Sequence, residues 1–281
     1  MAKHALLFIH GMGDTNQSAE FDALKDLIRK SYDRRSAHKD GDFDREYEAC
    51  FVDWHEPTDL VERRLFDDAF GPMRAVESLP LAFLHPLAAA RTFFTFYLGD
   101  VIAYVDESDN GIRRTVWKGM QEALKGCERF SIVAHSLGTI IAFDFLYHLL
   151  EKNSLFSPIE DPENLAITLR EKFAGLYTMG SPVGLFMLRR ADLWNANAAN
   201  GENPDFSKIH NPIPGDRVWK NFWDEQDIIA YPLERLFAHN QNNNTRSVSD
   251  IKVNTGVEPV SAHIGYLKSN AVAREIAASL A

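Results

Sequence analysis

Residues 130–143 read Phe130-Ser131-Ile132-Val133-Ala134-His135-Ser136-Leu137-Gly138-Thr139-Ile140-Ile141-Ala142-Phe143, and the organisation of the whole chain follows from this run. Its first part is short, apolar and rich in β-branched residues, which is typical of a buried strand. After Ser136 the apolar residues recur at helical spacing, at Ile140, Ile141 and Phe143. The run therefore predicts a strand, a tight turn at Ser136 and a helix.

The residues around Ser136 match a turn that presents a nucleophilic serine in α/β-hydrolases. The usual pattern is Gly-x-Ser-x-Gly, because the incoming strand and the outgoing helix pass too close for larger side chains. This chain has Ala134-His135-Ser136-Leu137-Gly138, with an alanine in place of the first glycine. The match predicts Ser136 as the nucleophile. The alternative is a serine that caps a helix after a buried strand.

Composition narrows the class of protein. The chain has 281 residues, 45% apolar and 25% charged, which is typical of a soluble globular protein. Its length suits one α/β domain with insertions, so we predict a single domain over residues 1–281. A net charge of −10 disfavours nucleic acid as a partner. Two cysteines and an N-terminal apolar run limited to residues 5–9 predict a cytoplasmic protein without a signal peptide.

Strand patterns alternate with helical patterns along the chain. Strands are predicted over residues 4–9, 47–54, 130–134, 173–179, 218–222 and 248–253, and the main helices over 18–31, 112–124, 137–153 and 270–280. This alternation favours an α/β fold with a mostly parallel sheet flanked by helices. Residues 58–98 lack a strand pattern and predict a helical, cap-like insertion, whereas residues 34–44 are charged and predict a loop.

Three residues follow one another in the order that serine hydrolases of this kind use. Ser136 is followed by Asp227, just past the strand predicted to end at residue 222, and by His263, past the strand predicted to end at residue 253. A serine needs a general base to become nucleophilic, and a carboxylate orients that base. The carboxyl ends of parallel strands meet at one edge of the sheet, so the three loops are expected to converge.

Alternative roles exist for some of these residues. Asp224 is a rival carboxylate, closer to its strand, and Asp227 is also placed to cap a short helix starting at Ile228. His239 is the only other histidine after Asp227, and it precedes the last strand. His135 is expected to be a packing residue, because adjacent side chains at the turn point apart.

An oxyanion site and a substrate site are predicted beside the serine. His10-Gly11-Met12-Gly13 follows the first strand, and the N–H groups of Met12 and Leu137 are expected to hold an oxyanion. His10 and Gly11 are predicted to contact the substrate. Candidate acyl-chain contacts, with core packing as the alternative, are Phe83, Phe93, Phe94 and Phe96. We find no metal motif and no Gly-rich phosphate loop, so the sequence predicts neither a metal nor a cofactor.

Longer motifs resemble a known family. Val133-Ala134-His135-Ser136-Leu137-Gly138-Thr139-Ile140 is followed by residues 176–186, LYTMGSPVGLF, and by residues 227–234, DIIAYPLE. Together with residues 261–266, SAHIGY, these motifs resemble the DDHD-type intracellular phospholipase A1 family over about half of the chain. The resemblance implies Ser136, Asp227 and His263 as a catalytic triad. The chain is far shorter than those phospholipases, so it implies a small branch of the hydrolases rather than a phospholipid substrate.

These observations predict a single domain of the α/β-hydrolase fold. They also predict a serine hydrolase that cleaves a carboxylic ester of a small molecule or lipid. An amidase, a peptidase or an acyltransferase would use the same triad, and a non-catalytic lipid-binding module is a further alternative. Stable membrane insertion is not expected, because the apolar residues 79–105 are interrupted by Pro80, His85, Pro86, Arg91 and Asp100. The sequence predicts no particular oligomeric state.

The aromatic and aliphatic composition of residues 79–105 leads to a prediction on substrate length. We expect esters of medium or long acyl chains to be cleaved faster than short ones, because an apolar contact surface gains free energy with each methylene it buries. A series of p-nitrophenyl esters from acetyl to palmitoyl measures this preference. Highest activity on the acetyl ester would contradict it.

Overall fold

The computed structural model describes residues 4–11, 17–35, 41–54, 101, 104, 111–150, 170–187, 213, 216–237 and 248–280. The strands are β1 (His4–Ile9), β2 (Tyr47–Val52), β3 (Arg129–His135), β4 (Phe173–Met179), β5 (Val218–Trp223) and β6 (Ser249–Lys252). The α-helices are α1 (Gln17–Asp33), α2 (Asp42–Glu46), α3 (Gly111–Ala123), α4 (Leu137–Leu150), α5 (Val183–Phe186), α6 (Glu234–Phe237), α7 (Pro259–Gly265) and α8 (Asn270–Leu280), with a 3-10 turn at Tyr266–Lys268 between the last two.

All six strands form one parallel sheet in the order β2-β1-β3-β4-β5-β6. The predicted α/β class with a parallel sheet and flanking helices is confirmed. The chain leaves β1 toward β2 on one side and returns as β3 on the other, so the strand order reverses at β1. Ligand sites of open parallel sheets lie beyond the carboxyl ends of the strands at such a reversal. Here that place is next to Ile9 and its register partner Ala134.

Strands β1, β3 and β4, in the middle of the sheet, are buried along almost their whole length, which explains why they are apolar without alternation. Leu7 and Ile9 of β1 belong to a core shared with α3 and α4, whereas Leu6 and Phe8 belong to a second core shared with α1 and α8. Ala134 is fully buried in the first core. The alanine that replaces the usual glycine of the serine motif therefore fits between strand and helix.

Two local predictions are wrong. Residues 34–44 were expected to form a loop, but α2 begins at Asp42, where Asp33 accepts hydrogen bonds from the N–H groups of Gly41 and Phe43. His263 was expected in a loop, and it lies in α7, which begins with a capping box between Glu258 and Ser261. Side-chain capping of this kind stabilises helices too short to form alone.

Several predictions fall on residues outside the described ranges. These are the helical insertion over residues 58–98 and the residues Met12, Phe83, Phe93, Phe94 and Phe96. Among the described residues, none of the helices combines the length and the apolar character needed to cross a bilayer. Cys50 and Cys127 are both free thiols.

Helix α4 approaches the end of β1 very closely at Gly138, in the first turn of the helix. A Cβ atom at this position would lie 2.2 Å from the carbonyl oxygen of His10 and 2.5 Å from that of Ile9. The helix therefore starts in direct contact with the end of β1. Only glycine permits this contact, and the glycine that ends the serine motif is explained by it.

Replacing Gly138 with alanine is expected to lower the free energy of unfolding by about 3 kcal/mol, at the upper end of overpacking effects, because backbone atoms of a central strand cannot move aside. Urea unfolding measures the change. The control is Gly119→Ala in α3, where the new Cβ would lie 3.1 Å from the end of the Val52 side chain. A side-chain end can move aside, and alanine is favoured over glycine in a helix by about 1 kcal/mol. If Gly138→Ala were as stable as the wild type, the predicted effect of this close contact would be wrong.

Candidate active site

Ser136 has a left-handed backbone, with φ of 53°, and it is the one non-glycine residue with positive φ in the described ranges. Such a conformation costs on the order of 1–3 kcal/mol and persists only where surrounding bonds impose it. The Ser136 N–H donates to the carbonyl of Met179 at 2.9 Å. The Ser136 carbonyl accepts from the N–H of Thr139 at 2.9 Å and from its hydroxyl at 2.7 Å. Hydrogen bonds thus fix both the N–H and the carbonyl group of the strained residue.

The structure brings Ser136, His263 and Asp227 together. His263 Nε2 lies 2.8 Å from Ser136 Oγ, and His263 Nδ1 lies 2.9 Å from Asp227 Oδ2. The three residues come from the ends of β3 and β5 and from α7 after β6, as the order of the strands predicted. Ser136 is 1% exposed, His263 is 2% exposed and Asp227 is 3% exposed, so the chain of hydrogen bonds is shielded from water.

The hydrogen-bond partners determine which nitrogen of His263 carries the hydrogen. An ionised carboxylate accepts only, so Nδ1–H donates to Asp227. In the neutral imidazole Nε2 is then an acceptor, and it receives the hydroxyl hydrogen of Ser136. This arrangement allows Nε2 to take the Ser136 proton when Oγ attacks an electrophile.

The Asp227 carboxylate is kept ionised by its donors. Burial by itself would raise its pKa, but the hydrogen bond and charge of His263, the N–H of Ile229 and the hydroxyl of Tyr266 outweigh burial, and the pKa lies below its usual value. Ile229 N–H donates to Oδ1 at 3.0 Å, which closes a turn after Asp227. A helix starting at Ile228 would be needed for the alternative role of Asp227. No helix begins there, since residues 225–226 and 228–229 form turns.

Asp224, the rival carboxylate, serves another purpose. Its Oδ2 accepts from the hydroxyl of Thr255 at 2.8 Å and from the N–H of the same residue, and its Oδ1 accepts from the N–H of Gln226 at 2.9 Å. The structure shows no hydrogen bond between Asp224 and His263. Asp224 ties the loop after β5 to the loop after β6, the two loops that lead to Asp227 and His263.

Gly180, directly after β4, lies against the hydrogen bond between His263 and Asp227. A Cβ atom there would stand 3.1 Å from both His263 Nδ1 and Asp227 Oδ2, and the backbone φ is +58°. Glycine is therefore required by conformation and by space at this position. The sequence showed Gly180 within the Gly-Ser-Pro motif, but contacts between distant loops have no local signal.

His135 packs behind His263, as expected. Its Nε2–H donates to the His263 carbonyl oxygen at 2.7 Å, and its Nδ1 has no hydrogen-bond partner in the described part of the chain. Burial, reinforced by the nearby His263, lowers the pKa of His135 to about 3. His135 is therefore neutral at physiological pH and adds no charge to the site.

The first turn after β1 is braced by aromatic rings. The imidazole of His10 is stacked between Phe51, at 5.3 Å between ring centroids, and Trp54, at 4.9 Å. Trp54 Nε1–H donates to the His10 carbonyl at 3.0 Å. The imidazole of His10 is thus part of the packing of this loop, and its direct contact with a substrate stays a prediction.

Gly11 and Leu137 are both close to Ser136. A Cβ at Gly11 would stand 2.6 Å from Ser136 Cβ and 3.2 Å from Oγ, so the backbone of this loop passes beside the hydroxyl. Leu137 is the first residue of α4, and the N–H groups in the first turn of a helix have no partner within the helix. Within the described ranges, no three His, Cys, Asp or Glu side chains are grouped to hold a metal ion.

The hydrogen bonds of Asp224 predict how its contribution to the free energy of unfolding depends on pH. Burial by itself raises the pKa of this carboxyl, but the donors of Gln226 and Thr255 hold it below its usual value. Because the folded pKa is depressed, the unfolded chain takes up the proton first, at a pH of about 4. The contribution of Asp224 is therefore present above pH 4 and is lost as the pH falls through the folded pKa.

We accordingly expect Asp224→Asn to lower the free energy of unfolding at pH 7. The difference in free energy of unfolding between the wild type and the variant should become smaller as the pH falls from 5 to 3. Urea unfolding at several pH values measures the difference. Asp216→Asn, at an exposed position, is the matched control and should leave the pH dependence unchanged. A difference between wild type and Asp224→Asn that grows toward low pH would be inconsistent with a depressed pKa.

No family model matches this chain, and no curated protein sequence does. The function is therefore inferred from the side chains of the site and from the fold that positions them.

Proposed function

We propose that the chain is a serine hydrolase on an α/β-hydrolase fold, and that it cleaves a carboxylic ester through an acyl-serine intermediate. The proposal is supported chiefly by the buried chain of hydrogen bonds from Ser136 Oγ through His263 to Asp227, at 2.8 and 2.9 Å. The strained backbone of Ser136 is a second support, because strain of this kind is concentrated at functional sites.

In the first half of the proposed reaction, Ser136 Oγ attacks the carbonyl carbon of the ester while its proton passes to His263 Nε2. The resulting imidazolium is stabilised by Asp227, which keeps its own charge. The bond between the carbonyl carbon and the alcohol oxygen then breaks, and Nε2–H returns the proton to the leaving alcohol. The acyl group remains on Ser136.

In the second half, a water molecule attacks the acyl carbon and gives a proton to His263 Nε2. The bond to Ser136 Oγ breaks, Oγ takes the proton back, and the carboxylic acid leaves. Negative charge on the carbonyl oxygen develops in both halves and requires N–H donors placed in advance. Leu137 N–H is positioned beside Ser136 by the start of α4, and Met12 N–H is the second predicted donor.

Exposed apolar side chains close in sequence to the site residues favour an apolar substrate. Ile228, which follows Asp227, is 58% exposed, and Ile264, which follows His263, is 42% exposed. Leu185 in α5, just after the Gly180 turn, is also 42% exposed. These positions are consistent with an acyl ester as the substrate.

A fluorophosphonate probe tests the activation of Ser136, since it reacts with a serine only when a base removes the hydroxyl proton. We expect one adduct on the wild type and none on Ser136→Ala, as measured by intact mass. Ser131→Ala is the matched control, because Ser131 is a buried serine in β3, the strand that leads to Ser136, and its hydroxyl is hydrogen-bonded to His4 at 3.0 Å. That variant should be labelled as fast as the wild type.

An absence of adduct on folded wild-type protein would contradict the proposal and favour a non-catalytic lipid-binding module. When labelling is seen, initial rates on matched ester and amide substrates, with and without an acceptor alcohol, separate the remaining activities. Faster turnover of the ester, with release of free acid, is the expected outcome. Preferential transfer to the alcohol would identify an acyltransferase.

A further inference from the structure

We propose that Tyr266 is a positioning residue of this site, whose hydroxyl holds the Asp227 carboxylate in the orientation that His263 requires. The inference rests on the serine hydrolase function proposed above. It concerns a fully buried side chain that none of the reaction steps uses.

Tyr266 reaches Asp227 because of its spacing from His263. It lies three residues after His263, in the 3-10 turn that directly continues α7, so both side chains project from the same side of this helical segment. Its hydroxyl is 3.1 Å from Asp227 Oδ2, the oxygen that also accepts the hydrogen bond from His263 Nδ1. One helical turn thus supplies two donors to one carboxylate oxygen.

The direction of the tyrosine hydrogen bond follows from its other partner. The N–H of Asp224 donates to the Tyr266 oxygen at 2.9 Å, so the hydroxyl hydrogen points elsewhere. Burial and the charge of Asp227 both raise the pKa of Tyr266, and the hydroxyl therefore keeps its hydrogen. Since the Asp227 carboxylate only accepts, Tyr266 donates to it.

This bond holds Asp227 on two sides. Ile229 N–H donates to Oδ1, and Tyr266 and His263 donate to Oδ2, so the carboxylate cannot rotate without breaking a buried hydrogen bond. The backbone of the Asp224 loop is tied to the same hydroxyl. Tyr266 therefore links the loop that carries Asp227 to the helix that carries His263.

The bond also spreads the negative charge of Asp227. The titratable groups that face this carboxylate are His263 and Tyr266 from the C-terminal helical segment, His135 from β3 and Asp224 from its own loop. His135 is neutral, whereas Asp224 is ionised and is hydrogen-bonded by its own donors, Gln226 and Thr255, with and without the Tyr266 hydroxyl. Without the tyrosine hydroxyl, the negative charge of Asp227 has one hydrogen-bond donor fewer and is less stabilised. The hydrogen-bonded pair of His263 and Asp227 should therefore take up a proton at higher pH.

Tyr32→Phe provides a matched control for Tyr266→Phe. Tyr32 is also buried, at 1% exposed, and its hydroxyl donates to the carboxylate of Glu46 at 2.7 Å, in the core shared by α1 and α2. Both changes remove one oxygen from a buried tyrosine that is bonded to a carboxylate. An effect of burial or packing alone would appear in both variants.

The experiment measures the second-order rate of fluorophosphonate labelling between pH 4 and 9 for the wild type and both variants. We expect the acid limb of the profile to move to higher pH by about one unit in Tyr266→Phe, which is the strength of one hydrogen bond to a charged group. We expect no movement in Tyr32→Phe. Circular dichroism at the assay temperature verifies that each variant is folded.

Each outcome decides between the proposals. An unshifted acid limb in folded Tyr266→Phe, or an equal shift in Tyr32→Phe, overturns the role of Tyr266 while labelling of the wild type still supports the hydrolase. An unlabelled wild type overturns the hydrolase and this inference with it. If Tyr266→Phe does not fold, 3-fluorotyrosine at position 266 keeps the hydroxyl as a stronger donor, and the acid limb must then move to lower pH.

Discussion

The contact between Gly138 and the end of β1 is the constraint on which the rest of the site depends. With no Cβ at this position, α4 starts against the carbonyl oxygens of Ile9 and His10. The chain must then reverse within one residue, and Ser136 takes a left-handed backbone to do so. The same closeness brings Gly11 beside the Ser136 hydroxyl. The Ser136 hydroxyl and the loop after β1 are therefore adjacent because two backbones touch.

The second constraint is the burial of a charge. A carboxylate removed from water is stable only when donors surround it, and Asp227 has a backbone N–H, an imidazole and a phenol around it. These donors come from its own turn and from the helical segment after β6. Because the surroundings exclude water, the same hydrogen bonds that stabilise Asp227 also fix the orientation of His263.

The prediction from sequence succeeded for long or strongly patterned elements and failed for short ones. The strands and the helices over Gln17–Asp33 and Asn270–Leu280 lie where apolar periodicity placed them. The helices beginning at Asp42 and Pro259 are too short for periodicity, and each depends on capping contacts. For the site, the order of Ser136, Asp227 and His263 was readable because parallel strands end at one edge. The contacts of Gly180 and Tyr266 with the site were not, because their partners lie far away in the chain.

The sequence alone determined the α/β class, the turn at Ser136 and which strand ends carry the candidate site, because periodicity and small-residue spacing are local properties of the chain. Only the tertiary structure decided between Asp224 and Asp227, since both follow the same strand and differ in the atoms they meet. It also decided that His263 stands on a helix, with Tyr266 one turn further on. Hydrogen-bond geometry between separate loops is set by packing at distances of about 3 Å, and one-dimensional patterns do not encode such distances.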